Sequence, residues 1–167
     1  MVIGGCARNA YAAPRATRDV DLAVDGDPEQ CTAFVRALEE EGFAQATVVN
    51  ASREEVPDVV LLNDGTGGRI DLLFAKTDFE RMALARRVPL PLPAGLGHVA
   101  TVEDLVVYKL ISGRPRDMAD VHEVLDARRE AEHPVDWAYI ERWAMAWDVL
   151  SRLATARARL RDASGTP

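Results

Sequence analysis

Between residues 19 and 24 apolar and polar positions alternate, with Val20, Leu22 and Val24 on one side and Asp19 and Asp21 on the other. A period of two belongs to a strand, so this stretch is expected to bury one face and present an acidic one. The same alternation recurs in RIDLLF, where Ile70, Leu72 and Phe74 oppose Arg69, Asp71 and Leu73. VVLLN before it, with the glycine-rich DGTGG between the two runs, makes a hairpin. Asp71 thus repeats the setting of Asp21. Residues 45–49, QATVV, read as a further strand.

Helical periods separate these runs. Asp27, Pro28 and Gln30 carry the chemistry of a helix start, Phe34, Val35 and Leu38 give that helix an apolar stripe, and Gly42 ends it. Thr77 and Glu80 form a capping box for a helix to about Arg87, and PLPLPAGLG after it reads as a stiff connector. At the start of the chain VIGG reads as the end of a strand and CARNAYAA as a short Ala-rich helix that Pro14 terminates. Gly4 and Gly5 therefore sit at a strand-to-helix turn.

Beyond the connector the pattern is helical throughout. Thr101 caps a helix through about Ser112, GRPR breaks it, and Asp117 to Arg129 forms another. Asp136 starts a third, with Trp137, Ile140, Ala144 and Trp147 on one side, and residues 149–162 make a fourth. The expected architecture is α+β: a strand-rich core over 1–95, a C-terminal helical region over 96–162 and a frayed, disordered tail over 163–167.

Composition narrows the classes. At 167 residues and 48% hydrophobic, the chain can bury the core of one domain with a small helical appendage. No apolar run approaches the about 20 residues that span a bilayer. Met1 leads straight into VIGG without a charged leader, so a cytoplasmic protein with no membrane partner is expected. Cys6 and Cys31 lie far apart in unrelated contexts and are expected as reduced thiols. A net charge of −7 argues against a large nucleic-acid footprint. His98, His122 and His133 lack metal-ligand spacing and are expected at the surface. The three tryptophans read as core packing, and Arg152, Arg157, Arg159 and Arg161 as a solvated helix face.

Asp19 and Asp21 on one strand, with Asp71 on a nearby one, make a surface that is unfavourable by itself, because each carboxylate raises the cost of ionising its neighbours. Such a surface suits hard divalent cations. Mg²⁺ takes oxygen ligands, usually a few from protein and the rest from water and substrate phosphates. Two such ions roughly 3.5 to 4 Å apart clamp the attacking and leaving oxygens of a displacement at phosphorus. A glycine turn lets backbone N–H groups approach a polyphosphate, and Arg15 and Arg18 add positive charge nearby.

GG at 4 and 5, thirteen intervening residues, DVDL at 19–22 and a later RIDLL at 69–73 resemble the signature of the DNA polymerase β type nucleotidyltransferase superfamily. More narrowly, GGCARNAYAAPRATRDVDLAV is similar to small bacterial proteins grouped with the abortive-infection nucleotidyltransferase toxins. Those add a lysine and an Arg-Asp pair on the helices, matched here by Lys109 and by Arg116 with Asp117. The resemblance covers residues 1 to about 127, and 1–75 is its specific part.

The resemblance implies a nucleotidyltransferase fold, a short mixed β-sheet flanked by helices and followed by a helical region. It implies transfer of a nucleoside monophosphate from a nucleoside triphosphate such as ATP to an acceptor hydroxyl. Asp19 and Asp21 would hold two Mg²⁺ or Mn²⁺ ions, and Asp71 would complete the site of the ion that activates the acceptor. Gly4, Gly5, Arg15, Thr17, Arg18 and Lys109 would bind the nucleotide, with Asp117 orienting Lys109 or Arg116. Two other functions stay open: a toxin of a toxin–antitoxin pair, with an antitoxin partner and RNA, especially tRNA, as acceptor, and a catalytically silent nucleotide-binding or scaffolding module. Family members often have Gly-Ser where this chain has Gly4 and Gly5, although the double-glycine form also occurs in this branch, and they usually carry a helix before the first strand. With the chain beginning at the strand, either the start is misassigned or truncated or the domain edge is covered some other way, and an exposed strand edge would favour a homo-oligomer.

Overall fold

The structure, a computed structural model, describes residues 1–51, 53–92 and 95–164. It divides into two compact units, Met1–Cys6 with Arg15–Ala100, and Ala7–Pro14 with Thr101–Pro167.

The first unit is built on a mixed sheet. Its strands are β1 (Val2–Ile3), β2 (Asp19–Val24), β3 (Ala44–Val49), β4 (Val59–Asn63), β5 (Arg69–Phe74), β6 (Val88–Leu92) and β7 (Gly95–Val99). Among the described residues they lie in the order β3-β4-β5-β2-β1-β7-β6. β2 and β5 are parallel and in register, Asp19 opposite Arg69 and Asp21 opposite Asp71, while β4 and β5 form the expected antiparallel hairpin. In that turn the Asp64 carboxylate accepts the N–H groups of Thr66 (2.8 Å) and Gly68 (2.9 Å), which closes the glycine-rich loop.

The two helices of this unit start where their caps demand. α2 (Pro28–Glu40) opens on Asp27 and Gln30, which satisfy each other's backbone N–H, and α3 (Asp78–Arg86) opens on the same reciprocal box between Thr77 and Glu80. α2 lays Cys31 and Val35 against Val60, Leu62, Leu72 and Phe74, the apolar parity of the strands. The opposite parity of β2 and β5 carries Asp19, Asp21, Arg69 and Asp71. Burial of one face thus fixes which residues can meet on the other.

Two expectations fail here. PLPLPAGLG is not a connector: β6 and β7 pair antiparallel from Val88 opposite Val99 to Leu92 opposite Gly95, and residues 93 and 94 lie outside the described residues. Pro89 and Pro91 are tolerated because β6 ends the sheet, where an N–H facing outward has no ladder partner to lose. Nor is β1 an edge. It pairs antiparallel with β2 and parallel with β7, so the argument for self-association through it falls.

The second unit contains α4 (Val102–Ser112), α5 (Pro115–Glu130), α6 (Trp137–Ala146) and α7 (Leu150–Ser164), together with the end of α1 (Gly4–Asn9). α5 begins at Pro115, two residues before the expected start, because proline at the first helical position needs no N–H partner. In α6 the buried side is Ile140, Trp143 and Ala144, while Trp147 follows the helix end and is exposed. His122 is buried, contrary to expectation. Burial first, and then the Arg159 guanidinium 3.1 Å from Nδ1, push its pKa below the usual imidazole value. Arg157 is no free solvated group either: it pairs with Glu141 and lies over the Trp137 ring at 4.6 Å. α7 runs to Ser164, and the rest of the expected tail, 165–167, lies outside the described residues.

Arg152, also expected as a solvated group, closes α4. Its Nη1 donates to the carbonyls of Leu110 (2.6 Å) and Ile111 (2.9 Å) beside Gly113, whose φ is +63°. A Cβ at 113 would meet the Arg152 guanidinium at 2.3 Å. Gly113→Ala is expected to lower stability by about 2 kcal/mol by denaturant titration. In an Arg152→Ala background its cost should fall to about 1 kcal/mol, the backbone part alone.

Candidate functional site

The acidic face of β2 and β5 is where chemistry concentrates. In-register parallel pairing puts neighbouring side chains on the same side of the sheet, so Asp19, Asp21 and Asp71 share a face with Arg69. The Arg69 guanidinium lies between two of them. Its Nη2 donates to Asp19 Oδ2 at 2.8 Å and to Asp71 Oδ2 at 3.0 Å, and its Nε stands 2.8 Å from Asp71 Oδ1. The Nε–H does not point at that oxygen, and Asp71 Oδ1 is buried without a hydrogen bond.

Asp21 turns instead to the glycine pair. Its Oδ2 accepts the Gly5 N–H at 3.4 Å. Gly4 has φ of +61°, and a Cβ there would stand 2.0 Å from Asp21 Oδ2 and 2.8 Å from its Cβ. Only glycine lets the turn and the carboxylate approach this closely. Thr17 closes the other side: its hydroxyl donates to the Asp19 carbonyl at 3.1 Å and would lie 3.1 Å from a Cβ at Gly5. Cys6, the residue after the pair, donates its thiol to the same carbonyl, and burial, then Asp21 and Asp19, raise its pKa.

Of the sequence candidates, Asp19, Asp21, Asp71, Gly4, Gly5 and Thr17 thus come together in the first unit. Arg15 is half-buried and Arg18 exposed on the segment entering β2. Lys109 lies in the second unit, buried, with Nζ 2.8 Å from both Asp117 Oδ1 and Asp120 Oδ2. Asp117 also accepts from Ser112 (2.7 Å) and Arg114 (2.6 Å). Burial tends to raise the Asp117 pKa, but the hydrogen bonds of Arg114, Lys109 and Ser112 outweigh it and hold the carboxyl at about 2. Arg8, near the end of α1, is buried too, paired with Glu123 and 3.9 Å from Asp120.

Sequence reasoning assigned no role to Arg69 or Arg8. The signal for Arg69 was present in its parity with Asp71. Nothing in the local sequence pointed from Arg8 to helices more than a hundred residues away.

The donor set suits a hard cation, all carboxylate oxygens with one of them buried and not hydrogen-bonded. Even so, among the described residues no three Asp, Glu, His or Cys side chains stand in a metal-holding arrangement. Arg69 occupies the space between Asp19 and Asp71, and Asp21 is turned to the glycines.

No family model and no curated protein matches the chain. Solved structures do. The solution structure of the antibiotic-resistance factor ANT(2'')-Ia is similar with a TM-score of 0.59 and 16% identity, over 96% of this chain and 86% of that one. An antigenic nucleotidyltransferase-like protein from Paracoccidioides brasiliensis is similar with a TM-score of 0.54 and 15% identity, over 97% and 82%. The chain therefore has the fold of these proteins, a mixed sheet with flanking helices. No helix among the described residues is long and apolar enough to cross a membrane.

Two outcomes test this geometry. Gly4→Ala is expected to cost about 2 kcal/mol or more in denaturant titration, since the strained φ and the contact with Asp21 add. For Asp117 the folded pKa is depressed, so its contribution is present above about pH 4 and lost as pH falls toward 2. Asp117→Asn should cost about 3 kcal/mol at pH 7. That deficit should shrink between pH 4 and pH 2; a deficit constant across this window would mean that the charge is not what the substitution removes.

Proposed function

We propose that this chain is a metal-dependent nucleotidyltransferase that moves a nucleoside monophosphate from a nucleoside triphosphate to an acceptor hydroxyl. One observation carries the reading: in-register pairing of β2 with β5 gathers Asp19, Asp21 and Asp71 on one face beside a turn that only glycine permits. The similarity in fold to a nucleotidyltransferase-like protein supports it.

In this reading Asp19 and Asp21 hold the metal ions, Mg²⁺ or Mn²⁺, and Asp71 completes the site on the acceptor side. When bound, the ions neutralise phosphate charge and acidify the acceptor hydroxyl. The chain's own contribution is positional. Gly4 leaves the turn without a side chain, and the Gly5 N–H and the Thr17 hydroxyl fix Asp21 and the start of β2. Arg15 and Arg18 add charge toward the triphosphate. The acceptor oxygen attacks the α-phosphorus, its bond to phosphorus forms as the bond to the bridging oxygen breaks, and pyrophosphate leaves with that oxygen. The proton of the acceptor hydroxyl goes to Asp71 or to solvent.

A second reading, a nucleotide-binding module without turnover, draws on one observation, the ion pairs of Arg69 with the carboxylates that metal would need. Incubation with each α-labelled nucleoside triphosphate, Mg²⁺ or Mn²⁺ and a cell extract separates the two. Transfer of label by the wild type, reduced at least about 100-fold in Asp19→Asn and Asp71→Asn, is the expected result. Label in the tRNA fraction would identify an RNA acceptor and the toxin reading. Triphosphate binding with no transfer for any of the four nucleotides would leave the silent module.

A further inference from the structure

Arg69 stands out because it is in contact with two of the carboxylates that the proposed reaction requires, Asp19 and Asp71. Its position is not accidental in the fold. It faces Asp19 across the parallel register and lies two residues before Asp71 on the same strand, so both carboxylates fall within reach of one guanidinium. Each of the two presents an oxygen to Nη2, which brings Asp19 Oδ2 and Asp71 Oδ2 within two hydrogen-bond lengths of each other. Without a positive charge between them such a pair would be mutually repulsive.

The grip is of a releasable kind. The Arg69 side chain is 44% exposed and that of Asp19 37% exposed, and ion pairs in this range of exposure hold weakly; the Asp71 side chain, 19% exposed, is the more sheltered partner. The oxygens it occupies, meanwhile, are those a divalent cation would take. Asp71 Oδ1, buried and lacking a hydrogen bond, gains nothing comparable from the misaligned Nε–H.

We propose that Arg69 is a tethered counter-cation that closes the carboxylate face in the free protein and must be displaced from Asp19 and Asp71 before a divalent cation binds there. This rests on the functional reading above. The consequence is an order of binding: free metal meets a face whose charge is already partly neutralised, whereas a metal–triphosphate complex brings phosphate oxygens as ligands for the ion and as a new partner for the released guanidinium. Metal and nucleotide then enter together, and an empty enzyme holds little metal of its own. Arginine suits this role better than lysine because its planar fork spans two acids at once and it never loses its charge.

The test reads metal binding and does not depend on turnover. Mn²⁺ affinity is measured by electron paramagnetic resonance in the absence of nucleotide for the wild type, Arg69→Gln and Arg69→Lys. Arg69→Gln is expected to bind Mn²⁺ about tenfold more tightly than the wild type, and Arg69→Lys to fall between the two, because lysine keeps the competing charge but loses the fork that spans both acids. Adding Asp71→Asn to Arg69→Gln should abolish the gain. Equal or weaker Mn²⁺ binding by Arg69→Gln overturns the proposal while leaving the functional reading in place. Absence of any nucleotide-free Mn²⁺ site in Arg69→Gln also overturns the proposal; the functional reading falls only if, in addition, no label is transferred from any nucleoside triphosphate. A second measurement needs no variant: in the wild type, the Arg69 Nε–H resonance is expected to shift and broaden on addition of Mg²⁺ together with a non-hydrolysable triphosphate. An unchanged resonance under saturation overturns the displacement.

Discussion

Parallel, in-register pairing of β2 with β5 is the constraint from which the acidic face follows. β5 commits one parity to the core under α2, where Leu72 is fully buried and Phe74 nearly so, and β2 packs Leu22 and Val24 against the same core while Val20, expected on the buried face, is exposed. A slip of one residue would send those side chains into solvent and the aspartates into the core, so the register is held by apolar burial and the charges have no say in it. The fold thereby forces like charges together. Compensation has to be local, and the structure supplies it from the same strand pair, through Arg69.

The glycine turn answers a different part of the same problem. The Asp21 carboxylate approaches the backbone at Gly4 and Gly5. Partial positive charge on the Gly5 N–H contributes there. The close fit needs two conditions at once, a positive φ and no Cβ, and Gly4 meets both. The Thr17 hydroxyl and the Cys6 thiol converge on the Asp19 carbonyl, tying the turn to the first residue of β2. Side chains chosen for packing and side chains chosen for chemistry are thus interleaved over fewer than twenty residues.

Much of this was legible in the sequence because it is periodic or local. The alternation in DVDLAV and RIDLLF encodes strand parity, and the boxes at Asp27 and Thr77 encode helix starts through contacts three residues apart. What escaped was non-local or masked by composition. Proline in PLPLP argues against a strand unless the strand lies at an edge, and edge position is a property of the whole sheet. β1 looked like an exposed edge for the same reason: its neighbour β7 lies more than ninety residues downstream. His122, Arg8 and Arg152 were expected at the surface or left without a role, because nothing nearby in the sequence reveals the helices that cover them. Arg69 is the instructive case. Its parity with Asp71 was plain, yet its meaning depends on Asp19 facing it, which only the parallel pairing establishes.

Burial separates the behaviour of the carboxylate–cation clusters at Lys109 and at Arg69. Lys109 sits between Asp117 and Asp120, all three nearly excluded from water, with Arg114 and Ser112 adding hydrogen bonds. Breaking such a set strands an uncompensated charge in a poorly solvating interior. It therefore behaves as a fixed part of the helical unit, and the depressed pKa of Asp117 expresses that commitment. The Arg69 cluster is smaller, two carboxylates on one guanidinium, and its arginine and Asp19 are open to solvent. Water can take over these two groups as they part, so exchange between them costs little. Ligand exchange is what a binding face requires and what a structural ion pair must resist. Carboxylate–cation pairing thus supports opposite roles according to solvent access, and that contrast argues for seeking the chemistry of this protein at β2 and β5 in preference to the buried lysine.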